Sequence, residues 1–117
     1  MDTLTLCASF VITRLQLSLS LITVKQALSE LLLASPNDSL LHSVINRFRQ
    51  HKNLIPTLGS WVSHGANNKL TEAEVLLLVE QEKIQEFASA VQISPVEAVR
   101  ILAETIPMIV EKSIKKI

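Results

Sequence analysis

Glycine is almost missing from this chain: only Gly59 and Gly65 occur in 117 residues. Loops that cradle phosphates need several glycines to bring backbone N–H groups close to the ligand, so no such loop exists here in its usual form. Tyrosine is absent, and one Trp and three Phe leave the apolar content almost wholly aliphatic. The single cysteine, Cys7, excludes an intrachain disulfide. A free Cys usually behaves as a small buried apolar residue, and that is the expectation for Cys7 rather than a reactive thiol. Charged residues make up only 19% and balance to a net charge of zero, which argues against electrostatically driven binding to nucleic acid or an acidic membrane. A long apolar run is lacking too. A membrane span wants about 20 predominantly apolar residues, whereas Leu4 to Val24 is interrupted by Arg14, Gln16 and repeated Ser and Thr. The first residues carry Asp2 and no Lys or Arg, unlike a secretory leader. A soluble, cytoplasmic protein is the expectation.

What is present is aliphatic residues, within a hydrophobic share of 48%. The length suits one domain over residues 1–117 with a real core. A domain this rich in Leu, Ile and Val does not bury them all easily, which points to an apolar groove or an oligomer contact.

The apolar spacing is helical. Leu4, Cys7, Ala8, Val11, Ile12 and Leu15 form one stripe. Leu15, Leu17, Leu19 and Leu21 then alternate with polar residues as a strand would, but no partner strand exists to complete its hydrogen bonds. A helix and an irregular connection are therefore expected over residues 1–22. Thr23 with Gln26 reads as a capping box opening a helix that buries Val24, Ala27, Leu28, Leu31 and Leu32. Ser35-Pro36-Asn37-Asp38 breaks it. The next helix starts near Asp38 or Ser39, with Leu40, Leu41, Val44, Ile45 and Phe48 inward and Arg47, Arg49 and Gln50 outward. A short helix from Pro56 follows, its apolar side made by Leu58, Trp61 and Val62, and Gly65 stops it. Asn67 and Asn68 suit the ensuing turn. Thr71 and Glu74 form a second capping box, with Leu70 and Val75 spaced as a staple and Val75, Leu76, Leu78 and Val79 directed to the core. Another helix runs from Glu82 to Val91, with Ile84, Phe87, Ala88 and Val91 expected to be buried. Ser94, Pro95 and Glu97 form the third box, ahead of Val99, Leu102, Ala103 and Ile106. Pro107 is expected to kink or restart the chain into a last helix, Met108 to Ile117, with Lys112, Lys115 and Lys116 near its end. The fold class predicted is all-α, with about seven short helices.

Several of these segments together resemble a known family. Trp61-Val62-Ser63, Gly65-Ala66-Asn67, Leu70-Thr71, Ile84, Ile93-Ser94-Pro95, Glu97-Ala98, Leu102-Ala103-Glu104 and Ile106 to Lys112 are similar to the YidB-like family of small bacterial proteins, a domain of unknown function. The resemblance spans residues 40–112 and leaves residues 1–34 without a matching motif. It implies a multihelical all-α domain and brings no catalytic residues. Family members often carry Gly where this chain has Glu80 and Gln92. A Gln in a left-handed turn costs about 1 kcal/mol or more, so a rebuilt turn or a shortened helix is expected before Ile93.

The stretch from Ile84 to Leu102 has the form of a helix-turn-helix, which offers DNA binding as an alternative function. Its charge argues the other way. From Glu80 to Thr105 there are five acidic and two basic residues, a net of −3, and phosphates are bound by Lys and Arg. Arg100 would be the basic residue of the reading helix. Arg47, Arg49 and Lys52 form the one basic cluster in mid-chain, read either as an anion-binding patch or as a solvated helix face near a favourable C-terminus. His42, His51 and His64 lack metal-binding spacing, the only aspartates are Asp2 and Asp38, and no Gly-x-Ser-x-Gly elbow is present. No enzyme activity, metal or cofactor is expected. Trp61 is read as core or as an anchor in a partner groove. The function expected is a non-enzymatic module that binds another protein or itself, with Trp61, Arg47, Arg49 and Arg100 as candidate interaction residues.

Overall fold

The computed structural model describes residues 3–33, 39–64 and 69–115. Among them are seven α-helices, one 3-10 turn and no strand: α1 Thr3–Leu15, α2 Leu21–Leu32, α3 Leu40–Arg49, α4 Ile55–His64, α5 Glu72–Leu78, α6 Gln81–Ala90 and α7 Pro95–Lys115, with the 3-10 turn Lys52–Leu54 leading into α4. No helix among the described residues is long and apolar enough to cross a membrane. The Ser35–Asp38 break, the Gly65 stop, the turn residues Asn67 and Asn68, and Lys116 lie outside the described residues, as do the side chains of Val62 and Lys115.

Helix α7 is the axis. It packs against α1, α3, α4, α5 and α6, while α2 closes the far side against α1, α3 and α6. From Ala98 to Val110 every residue of α7 except the exposed Arg100 and the half-buried Glu104 and Met108 is buried. A helix apolar on nearly all sides belongs in the middle of a fold. The restart expected at Pro107 does not occur, because the helix runs unbroken through it. Pro107 has no N–H for the Ala103 carbonyl one turn earlier. The backbone N–H of Leu70 donates to that carbonyl instead, at 3.2 Å. Thr105 is also satisfied in place, its hydroxyl donating to the Ile101 carbonyl at 2.6 Å.

The expected stripes of α1, α2 and α6 are the buried ones, including Cys7, Val24, Leu28, Ile84 and Phe87. Two starts agree with the sequence reading in detail. Thr71 and Glu74 close a reciprocal capping box, and Ser94 accepts from the Glu97 N–H while Glu97 accepts from the Ser94 N–H. One start differs. The cap of α2 is Ser20, not Thr23: the Ser20 hydroxyl accepts from the Thr23 N–H at 3.3 Å, which draws Leu21 into the first turn.

The strand-like alternation after α1 has a different origin. Gln16 adopts φ 54°, the Leu17 N–H donates to Ile12 and the Gln16 N–H to Thr13, a Schellman end. The extended link beyond it leaves Leu15, Leu17 and Leu19 half-buried while Gln16, Ser18 and Ser20 face solvent. The end of α6 repeats the device. Gln92 stands at φ 61°, with Ile93 N–H donating to Ala88 at 2.9 Å and Gln92 N–H to Ser89 at 3.3 Å. The turn is therefore neither rebuilt nor shortened; glutamine occupies the left-handed position. Glu80, the other departure from the family, takes φ −63° and needs no glycine.

Gln92→Gly is expected to stabilise the protein by about 1 kcal/mol, since glycine carries no Cβ penalty there. A urea midpoint that stays put or falls would contradict the left-handed assignment.

Candidate functional site

The four candidate residues separate into different environments. Trp61 is 2% exposed and meets Phe48 edge to face, ring centroids 5.5 Å apart, which joins α4 to α3 inside the core. That geometry is packing rather than a partner groove. Arg49 is exposed at the end of α3.

Arg47 is not outward, as its position in the stripe suggested, but half-buried. One terminal nitrogen donates to the Leu78 carbonyl at 2.9 Å; the other donates to Leu31 at 3.1 Å and Leu32 at 3.3 Å. These are carbonyls from the last turns of α5 and α2, where a helix runs out of its own donors. Neither helix ends in a glycine turn, because the capping residues Leu33 and Val79 are extended. One guanidinium therefore closes two helix ends, and a cation suits both dipoles. Burial holds its pKa below the ordinary arginine value, and the charge of Glu80 acts in the opposite direction. Arg47 and Arg49 border a depression of about 550 Å³. On its wall Lys83 donates to the Glu30 carbonyl at 3.4 Å. The hydroxyl of Ser43, on the same helix as Arg47, is buried without a hydrogen-bond partner.

Cys7 is fully buried, and burial pushes its thiol pKa up to about 12. A thiolate is thus inaccessible at neutral pH. Among the described residues no three His, Cys, Asp or Glu side chains gather as metal ligands would.

The most distinctive surface is apolar. A groove of about 290 Å³ lies between α5, α6 and the first turns of α7, lined by Leu76, Ile84, Pro95, Val96 and Val99, with Glu72, Gln81 and Gln85 as its polar residues. Leu76 is 51% exposed and Val96 55%. Leu76 was expected in the core, and the correction has a geometric cause. Leu76, Leu77 and Leu78 are consecutive, successive helical residues are about 100° apart, and a one-sided core takes only Leu78. That run of three leucines in a seven-residue helix was the sequence signal for exposed apolar surface. Arg100 stands beside the groove, its guanidinium 3.5 Å from the Glu72 carboxylate, both exposed. Of the would-be reading helix, only Pro95, Val96, Glu97 and Arg100 are exposed before the chain enters the core. Glu104 is held by Arg14 at 3.3 Å and Lys69 at 3.4 Å, so α1 covers that side.

Replacing Arg47 by Met is expected to cost about 3 kcal/mol, because three helix-end carbonyls lose a charged donor. Arg49→Gln, on exposed surface, should stay within about 0.5 kcal/mol of the parent. Equal urea midpoints for the two variants would contradict the bridging role. The model of the family described as YidB-like protein matches residues 24–115, taking in most of α2 ahead of the motif-bearing stretch. No curated protein and no solved structure matches the chain.

Proposed function

The chain belongs to the YidB-like family, and from that premise we propose that it is a non-enzymatic interaction protein whose groove between α5, α6 and α7 receives an apolar helix face of another protein. The exposed pair Leu76 and Val96 carries this reading. Both are large aliphatic residues placed across a concave apolar surface with a polar rim, which is the pattern of helix-in-groove recognition. Ile84 and Val99 in the groove lining belong to the buried core, with Val75 of α5 packed in the same core. A groove whose floor is already packed binds without the entropic cost of ordering it.

Arg100 has a place in the same reading. Paired with Glu72 beside the groove, it acts as a rim charge, where contributions to affinity are small. The DNA-reading alternative rests on the same helix pair around Ser94, but only the first turns of α7 lie open to a partner, and Glu97 is among them.

A fluorescent synthetic helix with a leucine stripe and glutamine elsewhere provides the test. It should bind the parent protein. Leu76→Gln and Val96→Gln should each weaken it about tenfold, near 1.4 kcal/mol, while folding stability moves by less than about 0.5 kcal/mol. Absence of binding, or affinity untouched by both variants, would contradict the groove. Retention of duplex DNA at low salt, lost on Arg100→Glu, would favour the DNA reader instead.

A further inference from the structure

We propose that the helix received by this groove is a basic amphipathic one from a different protein, an inference that rests on the groove reading above and adds the chemistry of the occupant. The observation is the charge of the stretch from the start of α5 to the middle of α7, which forms the groove. Residues 72–104 carry seven carboxylates against two bases, although the whole chain is neutral. Both bases are engaged: Lys83 with the Glu30 carbonyl and Arg100 with the Glu72 carboxylate. Glu72 lines the groove in its pair with Arg100, while Glu82 and Glu97, next in sequence to the lining residues Gln81 and Val96, are exposed and have no ion pair among the described residues.

An apolar surface on an acidic stretch of chain selects among occupants. A helix with leucine-like anchors and Lys or Arg beside them buries its apolar face and lowers the repulsion among the carboxylates. A second copy meeting the first through the same face sets carboxylates against carboxylates, as a two-fold contact is self-complementary only when its charges alternate. An anionic lipid surface and a phosphate backbone are repelled in the same way. Attraction of this kind acts chiefly on association, so it is strongest at low salt and fades as the Debye length falls to about 8 Å at physiological ionic strength.

The experiment uses three synthetic helices with one leucine stripe and Lys, Gln or Glu at the remaining positions, titrated into the full chain. The lysine helix is expected to bind at least tenfold tighter than the glutamine helix at low salt, and the glutamate helix not at all. The lysine advantage should shrink several-fold between low and physiological salt. Glu72→Gln with Glu82→Gln should reduce that advantage without changing affinity for the glutamine helix. Equal affinity for the lysine and glutamine helices would overturn the basic occupant while leaving the groove reading intact. Failure of all three to bind would overturn the groove reading itself. Light scattering of the protein alone should give the mass of one chain; a dimer dissociated by Leu76→Gln would assign the groove to a second copy and overturn the proposal.

Discussion

Helix α7 runs through the centre of the fold with a proline in its buried half, and that proline leaves the Ala103 carbonyl without its helical donor. A buried carbonyl left unpaired costs about 1–3 kcal/mol. The Leu70 N–H makes up the bond from outside the helix. Leu70 immediately precedes Thr71, the cap of α5, so one hydrogen bond sets where α5 begins relative to α7. The capping box then sets its direction. Leu76 and Val96 face one groove because these two helices are held together at that point, with the buried Leu70 and Val75 packed into the same core. A defect in one helix has become the attachment of another.

The scarcity of glycine runs through the rest of the structure. Helices commonly end on a glycine in the left-handed conformation. With only two glycines in the chain, several of the described helix ends use other means. Gln16 and Gln92 enter the left-handed region themselves, at a cost in backbone strain. The ends of α2 and α5 are closed by the Arg47 guanidinium reaching across from α3. Arg47 thereby ties three helices at one point, and Glu80 contributes charge where family members often have a glycine. The basic cluster of the sequence is thus two kinds of residue: Arg47 is structural and Arg49 is surface.

The helix starts and the buried stripes were legible because they depend on residues close in sequence. The Thr71 and Ser94 boxes and the faces of α1, α2 and α6 are local patterns, and the structure reproduces them. What escaped depends on distant partners. Continuity through Pro107 required Leu70, far along the chain. The inward turn of Arg47 required carbonyls from α2 and α5. For Trp61 the core reading was already among the alternatives, and the edge-to-face contact with Phe48 of the preceding helix decides for it. The groove lay between these cases: the run Leu76-Leu77-Leu78 was visible, but directing Leu76 to the core with Val75, Leu78 and Val79 hid one of the two leucines that face out. The −3 charge of the helix pair was legible and weakened the DNA reading, yet its bearing on an apolar groove formed by the same helices needed the structure.

Function in this account follows from placement rather than from reactive groups. The core fixes α7, α7 fixes α5 through Leu70, and the space left between α5, α6 and α7 is the groove proposed to receive a partner. The most direct measurement is amide hydrogen exchange at Leu70, resolved by nuclear magnetic resonance. Its flanking residues Lys69 and Thr71 are exposed, so a short connecting segment without the bond would exchange rapidly throughout. The expected result is a Leu70 amide protected as strongly as the amides in the buried middle of α7, and unprotected in an Ala103 variant whose ester linkage removes the carbonyl's acceptor strength. Rapid exchange at Leu70 in the native protein would contradict the attachment of α5 to α7.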